Sequence, residues 1–94
     1  MIFGKLYKIH RTPEIYLYKN PIFKVSEQVQ VSGKHLFMPL SIVKTEKKLF
    51  IKILCTDGNL YYKPYGDSEY SGLYNLAFAQ RNFNYYFIPY DQEE

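Results

Sequence analysis

Residues 49–65 read Leu49-Phe50-Ile51-Lys52-Ile53-Leu54-Cys55-Thr56-Asp57-Gly58-Asn59-Leu60-Tyr61-Tyr62-Lys63-Pro64-Tyr65. Two runs rich in β-branched and aromatic residues flank an Asp-Gly pair, the strongest short-range hairpin signal a sequence offers. A two-residue type I′ turn centred on Asp57-Gly58 fixes a register. Thr56 then faces Asn59, Cys55 faces Leu60, Leu54 faces Tyr61, Ile53 faces Tyr62 and Lys52 faces Lys63. Ile51, Ile53, Cys55, Leu60 and Tyr62 fall on one side, which is assigned to the core. Phe50, Lys52, Leu54, Tyr61, Lys63 and Tyr65 fall on the other.

Outward from this hairpin the same pattern recurs, with turn signals about every eight to twelve residues, as in all-β domains. Candidate strands are Ile2 to Ile9, Ile22 to Val31, Phe37 to Lys44, Leu49 to Cys55, Leu60 to Tyr65 and Tyr85 to Tyr90. Alternation assigns Val25, Val29 and Val31, then Met38, Leu40 and Ile42, to the core, with Glu27 marking a bulge or an edge. Thr45 to Lys48 reads as an exposed hairpin loop. Short strands in this number predict an all-β fold with at most one short helix, closed as a small SH3-like or OB-like barrel over residues 1–90, with a frayed acidic end at 91–94.

Two stretches stay open between helix and strand. Thr12-Pro13-Glu14 has the form of a helix start, yet Ile15-Tyr16-Leu17-Tyr18 has strand propensity. Ser71 has the form of a cap for a helix through Leu73, Leu76, Ala77 and Gln80, and residues 71–80 read equally as helix or strand.

The chain has 94 residues, of which 47% are hydrophobic and 22% charged. That composition argues against disorder and sets the expectation of one domain with a thin core. No apolar run approaches the roughly 20 residues of a membrane span. Lys5 and Lys8 interrupt the start of the chain where a secretory signal would be apolar. One cysteine, Cys55, excludes an internal disulfide, and no Cys/His spacing suits a structural zinc. These features set the expectation of an intracellular, cytoplasmic protein without metal or cofactor.

Net charge is +3, but Asp91, Glu93 and Glu94 are three of the nine acids, so residues 1–90 carry 12 basic against 6 acidic side chains. Only Arg11 and Arg81 are arginines. Bidentate reading of guanine favours the guanidinium, so sequence-specific DNA recognition is not expected.

No catalytic signature is present: no nucleophile elbow, no zinc-protease helix, no complete phosphate loop. Ser32-Gly33-Lys34-His35 holds a fragment of the last and reads as a turn. His10 and His35 lack sequence companions and read as loop residues, while Cys55 reads as a small core hydrophobe. The chain is expected not to be an enzyme.

Tyrosine is the outlier, with eleven residues beside seven phenylalanines and no tryptophan. Most serve a small β core, but runs such as Tyr61-Tyr62 and Tyr85-Tyr86 must place some rings outward, because adjacent strand residues face opposite ways. Exposed tyrosines are typical of protein interfaces, and beside lysines they also suit base stacking on single-stranded nucleic acid. The hairpin side bearing Phe50, Lys52, Leu54, Tyr61, Lys63 and Tyr65 is therefore the candidate binding surface.

Lys52 opposite Lys63 would be relieved by an anionic group. The leading expectation is a binding module for a macromolecular, acidic protein partner, of a size and composition that fit an accessory or inhibitor protein of a phage or mobile element. The alternatives are a single-stranded nucleic-acid binder stacking bases on Tyr61, Tyr65 and Phe50, and a structural subunit that self-associates through an open strand edge.

Overall fold

The computed structural model describes residues 1–10, 14–70 and 72–92. In chain order the strands are β1 (Tyr7–Ile9), β2 (Glu14–Tyr18), β3 (Gln28–Ser32), β4 (Phe37–Lys44), β5 (Lys48–Cys55), β6 (Leu60–Asp67) and β7 (Phe87–Pro89). One helix, α1 (Leu76–Tyr86), runs directly into β7, and short 3₁₀ turns occupy Val25–Glu27 and Ser68–Tyr70. All strand pairs are antiparallel, in the order β3-β2-β6-β5-β4-β1-β7.

The sheet is open, and the expected closed barrel is not formed. Two features prevent closure. The first and last predicted strands shrink to three residues each and pair with one another, Tyr7 with Pro89 and Ile9 with Phe87, instead of reaching back to β3. The space that a curling sheet would enclose is filled by α1, whose Ala79 and Phe83 are buried in the main core.

That core lies between the helix and one face of the sheet. Phe83 stacks on Phe87 at 4.4 Å between ring centroids and meets Tyr7 edge-on at 5.0 Å, while Phe37 meets Phe87 edge-on at 5.3 Å. Ile15, Leu17, Val31, Ile51, Ile53, Cys55, Tyr61 and Tyr65 complete it. Asn75, not Ser71, caps the helix, its side chain accepting from the Phe78 N–H at 3.1 Å. Ser71 lies outside the described residues, as do Thr12 and Pro13. Glu14 to Tyr18, left open by the sequence, is strand.

The hairpin exists, but its turn is not type I′. That turn needs positive φ at both central residues, and among the described residues only glycines have it, Gly58 at +92° being the one in this turn. The Gly58 N–H donates to the Cys55 carbonyl and the Cys55 N–H to the Asn59 carbonyl, both at 3.0 Å. This is a three-residue connection, a tight turn followed by a left-handed glycine that forms a bulge. Asp57 stabilises it by accepting from the Asn59 N–H at 2.8 Å and from the Tyr61 hydroxyl at 2.6 Å.

One additional residue in the connection slips the pairing by one. Leu54 pairs with Leu60, Ile53 with Tyr61, Lys52 with Tyr62 and Ile51 with Lys63. A slip of one residue turns every side chain of a strand to the opposite face. Tyr61, Lys63 and Tyr65 accordingly face α1 with Ile51 and Ile53, while Leu60 and Tyr62, expected inside, face outward.

Bulges adjust the neighbouring strands. Between β4 and β5 the register shifts at Leu40, so Phe37 and Pro39 are buried in place of the expected Met38 and Leu40. Between β5 and β6 it shifts at Tyr65, letting Gly66 pair with Leu49. Val25 belongs to a 3₁₀ turn, not a strand, and is 84% exposed. Residues 85 and 86 are the last turn of α1.

On the outer face a second, smaller apolar cluster forms. Phe50 is fully buried there beneath Tyr18 and Tyr62, at centroid distances of 6.5 and 6.3 Å, and Phe23 packs edge-on to Tyr18 at 5.3 Å. The segment after β2 crosses this face, closed by the Lys19 N–H donating to the Glu27 carbonyl at 2.9 Å.

Candidate anion-binding cleft

The direction of each backbone group follows from the turn. Because Cys55 and Asn59 form a hydrogen-bonded pair, the alternation of an antiparallel ladder points the N–H and C=O of Tyr62, and the corresponding side of Pro64, away from β5 and toward β2. Proline has no N–H, so β6 has no donor for β2 at that position. The two strands pair only at Tyr18 and Tyr62 and then separate.

The separation opens a cleft of about 450 Å³ lined by Glu14, Ile15 and Tyr16 of β2, Lys63 of β6 and Tyr86 of α1. Lys63 is 9% exposed, its stem among the core side chains of the inner face. Its ammonium donates to Asn82 Oδ1 at 2.7 Å and lies 4.6 Å from the centroid of the Tyr86 ring. Burial lowers its pKa from 10.5 to about 8. Among the described residues no carboxylate lies within ion-pair distance of it.

At the mouth, Tyr16 is 58% exposed, and the Glu14 carboxylate accepts from the Gln30 side-chain amide. Tyr85 meets Tyr86 edge-on at 4.8 Å. Beyond Tyr86 lies a second hollow of about 280 Å³, lined by Phe78, Arg81, Asn82, Tyr85 and Tyr86. Tyr86 thus lines both hollows, and Asn82, the partner of Lys63, lines the second. The arrangement joins aromatic walls, one desolvated cation and the Gln30-bound Glu14 carboxylate in the cleft, with one exposed guanidinium in the second hollow.

The six residues singled out from the sequence do not form one surface. Phe50, Lys52 and Leu54 lie on the outer face, with Phe50 fully covered and Leu54 exposed at its rim. Tyr61, Lys63 and Tyr65 lie on the inner face, and both tyrosines are buried in the core. Burial pushes the Tyr61 hydroxyl up to about 12, helped by its hydrogen bond to Asp57. The expected Lys52–Lys63 opposition is absent, since Lys52 faces Tyr62. Cys55 is buried and its thiol is pushed up by desolvation.

Of the six, only Lys63 reaches the cleft. Its companions Tyr16, Asn82 and Tyr86 were not singled out. Ile15 and Leu17 alternate with Tyr16 in a way that places Tyr16 outward once this stretch is read as strand. Tyr86 and Asn82 become visible only when Ala79, Phe83 and Tyr86 are read at helical spacing.

A second concentration of charge, beside the outer-face cluster at the loop before β5, differs in kind. Lys24, Lys47 and Lys48 surround a hollow of about 350 Å³ with Ile22 and Phe23. There Lys48 is paired with Asp67 at 2.7 Å and covers the Phe23 ring at 4.5 Å, and Glu46 stands in the same wall. Its charge is partly compensated within the chain.

No helix among the described residues is long and apolar enough to cross a membrane. Comparison with protein-family models, with curated proteins and with solved structures finds no match to this chain.

Proposed function

We propose that the protein is a non-enzymatic binding module that takes an acidic side chain of a protein partner into the cleft between β2, β6 and α1. The observation that carries this reading is the Lys63 ammonium, held in the cleft wall at 9% exposure with a neutral amide and an aromatic face as its only partners among the described residues. A desolvated cation lacking a counter-charge gains more from an incoming carboxylate than a solvated one does. Tyr16 and Tyr86 line the cleft with it and supply rigid contact area, as aromatic anchors do in protein interfaces.

Stacking of bases on Phe50, Tyr61 and Tyr65 has no support, because none of these rings offers an exposed face. This reading keeps Lys63 from the six residues singled out and sets it beside different tyrosines.

The test is an NMR titration with a hexaglutamate peptide, with hexaglutamine and a short oligothymidylate as parallel arms. Hexaglutamate is expected to shift the Asn82 side-chain amide and the Tyr16 and Tyr86 rings, and Lys63→Met to weaken this response at least about tenfold, the usual scale for losing a close charge pair. Shifts confined to Lys24, Lys47 and Lys48 and unchanged in Lys63→Met would refute the proposal. A response to the oligothymidylate alone would replace the protein partner with nucleic acid.

A further inference from the structure

The outermost strand on the β2 side, β3, is an edge without the usual protection. Natural edges carry lysines, prolines or bulges, or are very short, because unpaired strand groups template pairing with another chain. β7, the other edge, has three residues and ends in Pro89. β3 has five residues, Gln28-Val29-Gln30-Val31-Ser32, with no charge, no proline and no register shift along its pairing with β2.

The direction of its free groups can be worked out. The Lys19 N–H donates to the Glu27 carbonyl, in the register that pairs Tyr18 with Gln28. Antiparallel alternation then turns the backbone of Val29 and Val31 toward β2 and that of Gln28, Gln30 and Ser32 toward solvent. Local bonds already engage two of these groups. The Gln28 N–H donates to the Val25 carbonyl, and the Ser32 carbonyl accepts from the His35 N–H. The Gln28 carbonyl, both groups of Gln30 and the Ser32 N–H remain directed outward.

We infer that β3 pairs with β3 of a second copy of this chain, antiparallel about a two-fold axis at Gln30. In that register Gln30 exchanges two hydrogen bonds with its counterpart, and each Ser32 N–H donates to the Gln28 carbonyl of the other copy. All four outward groups are used, and neither locally engaged group is needed. A different register would bring an engaged group into the centre or leave a free one unpaired.

Charge agrees with this direction. Glu27 of one copy comes beside the turn carrying Lys34 of the other, whereas a parallel pairing would set Glu27 against Glu27. Val25, the most exposed of the large apolar side chains, adjoins the same edge and gains cover at its end. The closed two-fold dimer joins two seven-stranded sheets into one and leaves β7 at both outer ends.

The test is light scattering coupled to size exclusion, with sedimentation equilibrium across micromolar concentrations. The chain is expected at twice its 11.3 kDa mass. Gln30→Pro and Ser32→Pro each remove an outward backbone donor and leave every backbone bond to β2 in place, which an edge strand tolerates; Gln30→Pro also removes the side-chain bond to Glu14, and Ser32→Pro does not. Each deletes two of the four intermolecular bonds and is expected to raise the dimer dissociation constant at least about tenfold, with the circular dichroism spectrum unchanged. A wild-type chain that stays monomeric throughout, or a mass unaffected by either folded variant, would overturn the pairing. The readout is independent of Lys63, so its failure and that of the cleft reading can be told apart.

Discussion

Lys63 is costly to bury, and the cost has a sign that can be measured. Its pKa is about 8 in the folded chain against 10.5 in the unfolded one. Below pH 8 both states hold the proton and the folded state bears the full desolvation penalty. Between about 8 and 10.5 the unfolded chain still binds a proton that the folded chain has released, so stability rises with pH. The span amounts to about 3 kcal/mol. Tyr61 works in the opposite sense above pH 10, because its folded hydroxyl, at about 12, ionises later than the unfolded one. Urea unfolding at pH 7.5, 9 and 10 is therefore expected to show increasing stability, and Lys63→Met to remove that rise and leave the opposing effect of the raised Cys55 thiol. A flat wild-type profile would contradict the burial of the ammonium.

Gly66 presents a different constraint at the same scale. A Cβ at this position would lie within the van der Waals radius of the Tyr74 ring, which covers the strand there. Gly66→Ala must displace either that ring or the end of β6, at a cost of about 1 to 3 kcal/mol typical of overpacking. The pair Gly66→Ala with Tyr74→Ala is expected to recover part of this loss, as a double-mutant cycle read by denaturation would show.

The hairpin of β5 and β6 shows how much an element discloses from sequence and where the disclosure stops. Its strands, its turn position and the burial of Ile51, Ile53 and Cys55 were all legible, because alternation and Asp-Gly chemistry are local. Its register was not. Thr56-Asp57-Gly58-Asn59 suits both a two-residue and a three-residue connection, and the choice falls to whichever register buries the better face. The slip places Tyr61 and Tyr65 in the core together with Lys63, whose long stem packs there while its ammonium reaches the cleft. One residue in a turn thus determined which half of the expected binding surface became core.

One short helix near residues 71–80 was among the open readings, but its extent was hidden for a related reason. Residues 85–90 are aromatic and read as strand by propensity, yet Ala79 and Phe83 recur at helical spacing and find the open sheet face to cover. Tertiary burial decided against local preference, and α1 ends where Phe87 turns to extended backbone and enters β7. With the helix came Tyr86 of the cleft wall and Asn82, the partner of Lys63, whose places beside Lys63 the sequence did not disclose. Gly58→Ala tests the turn itself: the new side chain must adopt a φ of +92°, and a loss of about 1 kcal/mol is expected in thermal unfolding.

At the scale of the whole molecule, a mostly β chain was legible from turn spacing, while barrel closure was not, since closure depends on which distant strands meet. The chain instead spends its ends on each other. Tyr7 pairs with Pro89, the His10 N–H donates to the Tyr86 carbonyl at 2.7 Å and the Tyr90 N–H to the Leu6 carbonyl at 3.2 Å.

This seam between β1 and β7 has a kinetic consequence. The meander β4-β5-β6 closes through short loops, whereas the β1–β7 pair must wait for some eighty intervening residues to be brought together, and loop-closure entropy delays such contacts. The meander is the natural nucleus and the seam the last part to zip. The amides of His10 and Tyr90, which bond across this seam, should then exchange through an opening that leaves those of Ile51 and Ile53 protected, so the chain would loosen first where β1 and β7 meet.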